Sequence, residues 1–174
     1  GSWRTIKAVL PLMRKQGEGL IINISSIAGR FSTPFMSMYT SSKFALEGLT
    51  EALHYEVRPL GVDVVLIQPG AFPTEIFGKI LSGSDSAVID GYGELARVPE
   101  QMGAGIMQMF DAIKPNPQLI ADAVVNLINT PGGRRPLRTV ADPATGNLVE
   151  TANNKVKEQL THFMAAFGMQ GMLS

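Results

Sequence analysis

The chain has 174 residues, long enough for one domain with a buried core, and 45% of them are hydrophobic. Its 15 basic and 15 acidic side chains cancel, so its electrostatics do not favour nucleic acid or an anionic membrane as a partner. The absence of cysteine excludes disulfides, thiolate metal sites and a cysteine nucleophile, and without a long apolar run or a signal-peptide pattern we expect a cytoplasmic protein.

A helix and a short strand are the first predicted elements. Apolar residues recur at helical spacing over residues 3–15, although Pro11 in this stretch predicts a kink. Residues 16–19 contain two glycines, which suit a left-handed cap at the end of the helix. Residues 20–24 (Leu-Ile-Ile-Asn-Ile) then form an apolar run typical of a strand covered on both faces, as in a parallel sheet.

A small-residue loop leads from this strand to a second helix, predicted over Met38–Val57 with Ser37 as its N-cap. The helix has apolar positions at Phe44, Leu46, Leu49, Leu53 and Val57. Its polar positions are Glu47, Glu51, His54 and Glu56. Residues 58–61 end the helix, and a second buried strand is predicted over residues 62–68.

The order helix, strand, helix, strand predicts an α/β fold with right-handed parallel crossovers. In open parallel sheets, ligands bind beyond the carboxyl ends of the strands. Ser26 follows the first strand and Pro69-Gly70 follows the second, so both are expected at that edge.

Residues 71–114 are the least regular part of the chain. Turn residues indicate loops at 82–86 and 90–93, and short helices are predicted at 74–81 and 100–113. The second of these helices contains Met102, Met107 and Met109. Because methionine is a flexible apolar filler, this stretch suits a lid over a hydrophobic substrate, although a plain packed helix also explains the methionines.

The last third of the chain predicts two further helices and a strand. Asn116 is the expected N-cap, with Pro117 at the first position of a helix that runs to Thr130. A brief strand follows at 137–140 and an amphipathic helix at 148–167. Without an internal repeat or a low-complexity linker, one domain is expected.

The strongest chemical signal is Tyr39 with Lys43, because residues four apart lie on one face of a helix. A cation beside a phenol favours the phenolate, so Lys43 is expected to lower the pKa of Tyr39. Ser26 is placed to donate a hydrogen bond to the same substrate oxygen. Alone, a tyrosine and a lysine at this spacing are usually surface neighbours. The order of the surrounding motifs nevertheless favours proton transfer at a carbonyl or alcohol.

That order, from about Ala8 to Thr74 and more loosely to Pro143, resembles the short-chain dehydrogenase/reductase family. The resemblance implies a Rossmann-like, doubly wound parallel sheet and NAD or NADP as cofactor. It implies Ser26 as the donor to the substrate oxygen and Tyr39 as the catalytic acid/base. It implies that Lys43 lowers the tyrosine pKa and holds the nicotinamide ribose.

The resemblance also implies which residues contact the cofactor. Residues 69–74 (Pro-Gly-Ala-Phe-Pro-Thr) look like the family's Pro-Gly-x-x-x-Thr segment, whose strand end and threonine contact the nicotinamide amide. The implied contacts are Ile24, Tyr39, Lys43, Pro69, Gly70, Phe72 and Thr74. Asn23 matches an asparagine with a structural role.

The chain departs from the family at its front. The glycine-rich turn that cradles the pyrophosphate, the Asn-Asn-Ala-Gly segment and the fourth catalytic residue, an asparagine, are all absent. We therefore expect residues 1–174 to be the C-terminal part of one NAD(P)-binding domain, with its N-terminal half missing and a substrate lid at about 75–114. Such a chain is not expected to bind the cofactor tightly alone, and the residues that separate NAD from NADP would lie in the missing half.

The implied function is the interconversion of an alcohol and a ketone or aldehyde by hydride transfer. The expected substrate is an apolar small molecule. The resemblance further implies a homodimer or homotetramer paired through helices 3–15 and 38–57. An epimerase or dehydratase of nucleotide sugars, which shares the Tyr-x-x-x-Lys motif, is one alternative. A non-catalytic half-domain that acts through protein contacts is the other. His54 and His162 lie far apart in the sequence, and no metal site is predicted.

Overall fold

The computed structural model of the chain describes residues 1–80 and 85–173, and its central element is a parallel sheet. The three strands within these residues are β1 (Gly19–Ile24), β2 (Val62–Pro69) and β3 (Arg138–Ala141). They are ordered β1-β2-β3, and both neighbouring pairs are parallel. The predicted parallel α/β fold is therefore confirmed, with β2 in the middle and buried along all but its last residue.

Six α-helices lie within the described residues. They are α1 (Ser2–Gln16), α2 (Ser37–Val57), α3 (Ser86–Asp90), α4 (Val98–Ile113), α5 (Gln118–Asn129) and α6 (Gly146–Ala166). Short 3-10 turns occupy Ile27–Gly29, Arg58–Leu60, Glu75–Lys79, Gly93–Arg97 and Gln170–Leu173. Across residues 1–80 and 85–173, none of the helices combines the length and apolar character needed to cross a membrane.

The alternation of side chains along β2 builds two apolar clusters. Val62 and Val64 belong to a cluster with residues of α1 and α2, whereas Val65 and Ile67 belong to another with residues of α5. Because neighbouring strand residues point to opposite faces, helices cover both faces of the sheet. This two-sided cover explains why β2 reads as a continuous run of branched apolar residues.

The helix ends agree with the sequence in most places. Gly17 ends α1 in the left-handed conformation at φ 75°, and Pro11 lies inside α1 without ending it. The prediction of Ser37 as N-cap is wrong: Ser37 is the first helical residue, and Met36 precedes it without a side-chain capping bond. Phe35 has a left-handed backbone at φ 63°, and α2 begins at Ser37, one residue earlier than predicted.

Residues 71–118 form a compact unit of their own, separate from the unit made by residues 1–70 and those from 119 onward. The helix predicted at 74–81 is a 3-10 turn over Glu75–Lys79, and Leu81 lies outside the described residues. Of the loop predicted at 82–86, residues 82–84 also lie outside them, while Ser86 begins α3 behind an Asp85 cap. Within this unit the rings of Phe77 and Phe110 meet edge to face at 5.4 Å. The lid interpretation stays a prediction.

Two tight connections meet at the amino end of the sheet. Gly61 sits between α2 and β2 at φ 79°, and a Cβ there would overlap the carbonyl oxygen of Gly17, between α1 and β1. We expect Gly61→Ala to lower the free energy of unfolding by about 1–3 kcal/mol, because it adds backbone strain and a clash with main chain. Denaturant titration would measure the change.

Gly48→Ala is the matched control for that substitution. Gly48 lies inside α2, and a Cβ there meets none of the described neighbouring atoms within 4 Å. Because alanine is the better helix former, this variant is expected to gain about 0.5–1 kcal/mol. Equal effects from the two substitutions would contradict the steric explanation.

Candidate active site

Ser26 lies in the turn that follows the carboxyl end of β1. Its backbone is extended, and its Oγ accepts a hydrogen bond of 3.1 Å from the Ala28 amide, which caps the 3-10 turn Ile27–Gly29. The residue before it, Ser25, donates its amide to the carbonyl of Ile67, so β1 stays aligned with β2 up to this point. Ser26 is buried at 8% exposure, and its hydroxyl hydrogen remains available for an acceptor.

Tyr39 and Lys43 lie one turn apart near the start of α2. The Lys43 Nζ is 5.6 Å from the centroid of the Tyr39 ring, and the tyrosine is 40% exposed. The same Nζ donates a 3.0 Å hydrogen bond to the carbonyl of Ile24, the last residue of β1. The lysine therefore links the tyrosine-bearing helix to the strand end that leads into Ser26.

The environment of Lys43 combines partial burial with one carboxylate. Burial lowers the pKa of the Lys43 ammonium, and the negative charge of Glu47, one helical turn further on, opposes that change. An ammonium has three N–H donors, and the Ile24 carbonyl takes one of them. In the part of the chain that the structure describes, the other two N–H groups have no hydrogen-bond partner, so they can bind oxygen atoms of a ligand at this edge of the sheet.

A second link between β1 and α2 comes from Asn23. Its Nδ2 donates a 2.9 Å hydrogen bond to the Oγ1 of Thr50, which in turn donates to the Leu46 carbonyl. Asn23 and Thr50 are both buried. Together with the Lys43 bond, this contact fixes the helix on the strand.

The end of β2 is shaped by a close contact with Asp142. The amide of Gly70 donates to the Ala141 carbonyl at 3.0 Å, and a Cβ on Gly70 would overlap the Asp142 carboxylate. That carboxylate also accepts hydrogen bonds from the Ala144 and Thr145 amides. Packing alone therefore requires a glycine after Pro69.

Phe72 and Thr74, the remaining implied cofactor contacts, belong to the unit of residues 71–118. Phe72 is buried at 5% exposure, and Thr74 has an extended backbone immediately before the 3-10 turn Glu75–Lys79. Their roles, like those of Ile24, Pro69 and Gly70, remain predictions.

Sequence reasoning missed a buried polar network beside Lys43. Glu47, at 4% exposure, accepts one hydrogen bond from Gln68 at 3.0 Å and one from the Arg138 Nε at 2.8 Å. Arg138 also donates to both carboxylate oxygens of Glu51, at 3.2 and 2.9 Å. Burial disfavours the charged guanidinium, but these bonds outweigh burial and raise the Arg138 pKa.

The network continues from Gln68 to the turn that carries Ser26. The Gln68 Oε1 accepts a 2.7 Å bond from Asn153 on α6, whose Oδ1 accepts a 2.8 Å bond from the Nε of Arg30. Arg30 ends the turn Ile27–Gly29. Burial, and then the charge of Arg138, lower the Arg30 pKa. The only sequence signal for this network is the spacing of four between Lys43, Glu47 and Glu51.

A cavity of about 890 Å³ borders the network. It lies among α2, the start of β3 and α6, and its lining includes Glu51, His54, Arg138 and Lys157. Ser26, Tyr39 and Lys43 do not line it. The cavity is therefore distinct from the candidate catalytic residues.

Comparisons with known proteins identify relatives of the chain. Residues 1–85 match the family model described as short chain dehydrogenase. This match places that part of the chain in the short-chain dehydrogenase/reductase family. The chain is 37% identical over 127 residues to an uncharacterized oxidoreductase, YusZ, of Bacillus subtilis, covering 70% of this chain and 42% of that protein. It is 33% identical over 146 residues to human retinol dehydrogenase 8, covering 79% of this chain and 44% of that protein.

A solved short-chain dehydrogenase from Streptomyces avermitilis has the same fold, with a TM-score of 0.60 and 28% identity. The alignment covers 95% of this chain and 56% of that structure. The chain thus spans about half the length of the family members it matches. The family resemblance drawn from the motifs is confirmed, as is the Rossmann-like parallel sheet.

Proposed function

We propose that the protein is an NAD(P)-dependent oxidoreductase that interconverts an alcohol and a ketone or aldehyde by hydride transfer. The observation that carries this proposal is the Lys43 ammonium, held by the Ile24 carbonyl and lying beside the Tyr39 ring. Ser26 follows Ile24 by two residues, so Ser26 and Lys43 both lie at the carboxyl end of β1, and Tyr39 lies beside Lys43. Family membership supports the same chemistry.

NAD or NADP is the proposed cofactor, and the donor set fits it. When bound, it supplies or accepts the hydride. The two unused N–H groups of Lys43 suit the paired hydroxyls of a ribose, which are hydrogen-bond acceptors. The site also lies beyond the carboxyl ends of parallel strands, where ligands of such sheets bind. Further contacts are proposed for Ile24, Pro69, Gly70, Phe72 and Thr74.

The chain's own residues move and hold the proton. Tyr39 gives its hydroxyl proton to the substrate oxygen during reduction and takes it back during oxidation. Ser26 donates a hydrogen bond to that oxygen, and the charge of Lys43 stabilises the phenolate left on Tyr39. Tyr39 and Lys43 are positioned by α2, and Ser26 is positioned by the 3-10 turn that follows β1.

An apolar substrate is proposed from the composition of α4. This helix contains Met102, Met107 and Met109, and Met107 is 44% exposed. Flexible thioether side chains adapt to apolar ligands of varied shape. The similar human protein is named a retinol dehydrogenase, which fits an apolar alcohol as substrate class.

A homodimer or homotetramer is proposed through α1 and α2. Both helices expose large apolar side chains, including Trp3 at 49%, Leu12 at 61%, Met38 at 84% and Phe44 at 42%. Such side chains are common where subunits meet.

The deciding experiment is a turnover assay on the protein as the cell makes it. NAD⁺ or NADP⁺ is mixed with aliphatic, steroid-like and retinoid-like alcohols, and formation of the reduced nicotinamide is followed by absorbance. Turnover of at least one apolar alcohol is expected. The proposal fails if calorimetry detects no cofactor binding and no alcohol is oxidised. Conversion of a nucleotide sugar without accumulation of reduced cofactor would favour an epimerase instead.

A further inference from the structure

We propose that Glu47 is a positioning residue that sets the distance between the Ser26 turn and the face of α2 bearing Tyr39 and Lys43. This inference rests on the proposed function, because it takes those three side chains as the reacting set. Glu47 touches neither substrate nor cofactor in this scheme. It acts through the elements that it holds together.

The helix side of this arrangement is a row of side chains at intervals of four. Tyr39, Lys43, Glu47 and Glu51 follow one another on one face of α2, passing from exposed to buried at Glu47. The Glu47 carboxylate is bound from the sheet by Gln68 of β2 and Arg138 of β3. These two bonds fix α2 on the sheet one turn beyond the lysine.

The turn side is a direct contact with Gly29. A Cβ on Gly29 would lie 2.8 Å from the Glu47 Cγ and 2.8 Å from the Ser25 Oγ, so the turn backbone rests on the glutamate. Among the described residues, the buried Ser25 hydroxyl has no hydrogen-bond partner, so packing rather than this hydroxyl holds the turn in place. A side chain at position 29 would therefore push against Glu47 and Ser25.

The hydrogen-bond network also links the Ser26 turn to Glu47. Arg30, at the end of the same turn, bonds to Asn153, which bonds to Gln68, which bonds to Glu47. The Ser26 turn is therefore attached to Glu47 by contact at Gly29 and by three successive hydrogen bonds from Arg30. A change at Glu47 is expected to move the serine relative to the tyrosine.

Glu47 also provides the carboxylate that acts on Lys43. The group that β1 presents to the ammonium is the neutral Ile24 carbonyl. The group that β2 presents to Glu47 is the neutral Gln68 amide. The Arg30 guanidinium of the turn interacts with Arg138, Glu47 and Glu51. Glu47 is the charged group that supports the Lys43 ammonium against the effect of burial.

Glu47→Gln tests the inference with Glu51→Gln as its matched control. Both variants remove one carboxylate bound to Arg138, and in Glu47→Gln the guanidinium keeps both bonds to Glu51, so a folded protein is expected. In Glu47→Gln, kcat is expected to fall by about tenfold to a hundredfold, because a small displacement of reacting groups has effects of this size. Glu51→Gln is expected to lose stability without this loss of kcat.

The pH profile separates positioning from a merely structural role. If charged Lys43 is required, activity falls on the alkaline side as the ammonium loses its proton. Without the Glu47 charge that proton leaves more easily, so the alkaline limb of kcat is expected to move to lower pH in Glu47→Gln and to stay in place in Glu51→Gln. Gly29→Ala, which adds a methyl group against Glu47 but removes no charge, is expected to lower kcat without moving the limb.

A readout that needs no turnover distinguishes this inference from the proposed function. The Ala28 and Gly29 amides donate to the Oγ and carbonyl of Ser26, so their hydrogen exchange reports on the turn. Their exchange is expected to rise by about tenfold in Glu47→Gln and to remain unchanged in Glu51→Gln. Unchanged exchange and kcat in Glu47→Gln would overturn the inference. An inactive wild-type protein would overturn the proposed function, and amide exchange would still decide the role of Glu47.

Discussion

Tyr39→Phe is expected to lower turnover of an apolar alcohol with NAD(P) by about 10²–10⁴-fold, the usual contribution of a positioned acid or base. The substitution removes only the hydroxyl that carries the proton. Its ring stays beside Lys43, and the bond from Lys43 to the Ile24 carbonyl does not involve the phenol. Steady-state rates of the purified variant and wild type would measure the loss.

Stability and a second tyrosine supply the controls for that loss. Tyr39 is 40% exposed, and within residues 1–80 and 85–173 its hydroxyl makes no hydrogen bond, so the thermal midpoint of Tyr39→Phe should match that of the wild type. Tyr55→Phe changes the same group on the same helix, away from the Ser26 turn, and should retain its turnover. A Tyr39→Phe protein that works at near-normal rates would remove the phenol from the mechanism.

Arg138→Met is expected to produce the largest loss of stability, about 3–5 kcal/mol, because it leaves buried carboxylates without their cation. The Arg138 side chain is 9% exposed, and it pairs with Glu47 at 5% and Glu51 at 23% side-chain exposure. Methionine fills part of the volume but cannot donate hydrogen bonds. Denaturant titration of the variant would measure the change in unfolding free energy.

A surface pair provides the comparison. Arg97 pairs with Glu94 at the i,i+3 spacing, and the two side chains are 70% and 87% exposed. Arg97→Met should therefore change the unfolding free energy by no more than about 1 kcal/mol, since exposed pairs contribute little. Adding Glu47→Gln to Arg138→Met should recover part of the loss, because the second change removes a carboxylate that the first leaves unpaired. Similar effects from the Arg138 and Arg97 substitutions would show that burial does not govern the pair.

Local spacing explains why much of the site follows from the sequence. The placement of Tyr39 near Lys43 depends only on the pitch of a helix, and the position of Ser26 depends only on where β1 ends. The sheet follows equally well, because β-branched runs between helices favour parallel strands. In both cases the physical cause lies within a few residues of the feature.

Glu47 shows where such reasoning stops. The sequence pattern marks Glu47 only as one of several polar positions on α2, yet Glu47 is buried, as is His54. The apolar Phe44, by contrast, is 42% exposed. The cation that makes this burial possible, Arg138, lies 91 residues away along the chain. Periodicity carries no information about which distant charges will meet, so the network emerges only from the fold.

The contact between Gly61 and Gly17 has a consequence for how proteins of this fold can vary. At the amino end of the strands, the two connecting segments are short, and they pack so closely that a Cβ at Gly61 would overlap the main chain of Gly17. After the carboxyl ends, by contrast, residues 25–36 separate β1 from α2, and residues 71–118 separate β2 from the rest of α5. The segments after the carboxyl ends of the strands can therefore change in length and sequence during evolution, and ligand preference can change with them. The connections at the amino ends stay constant.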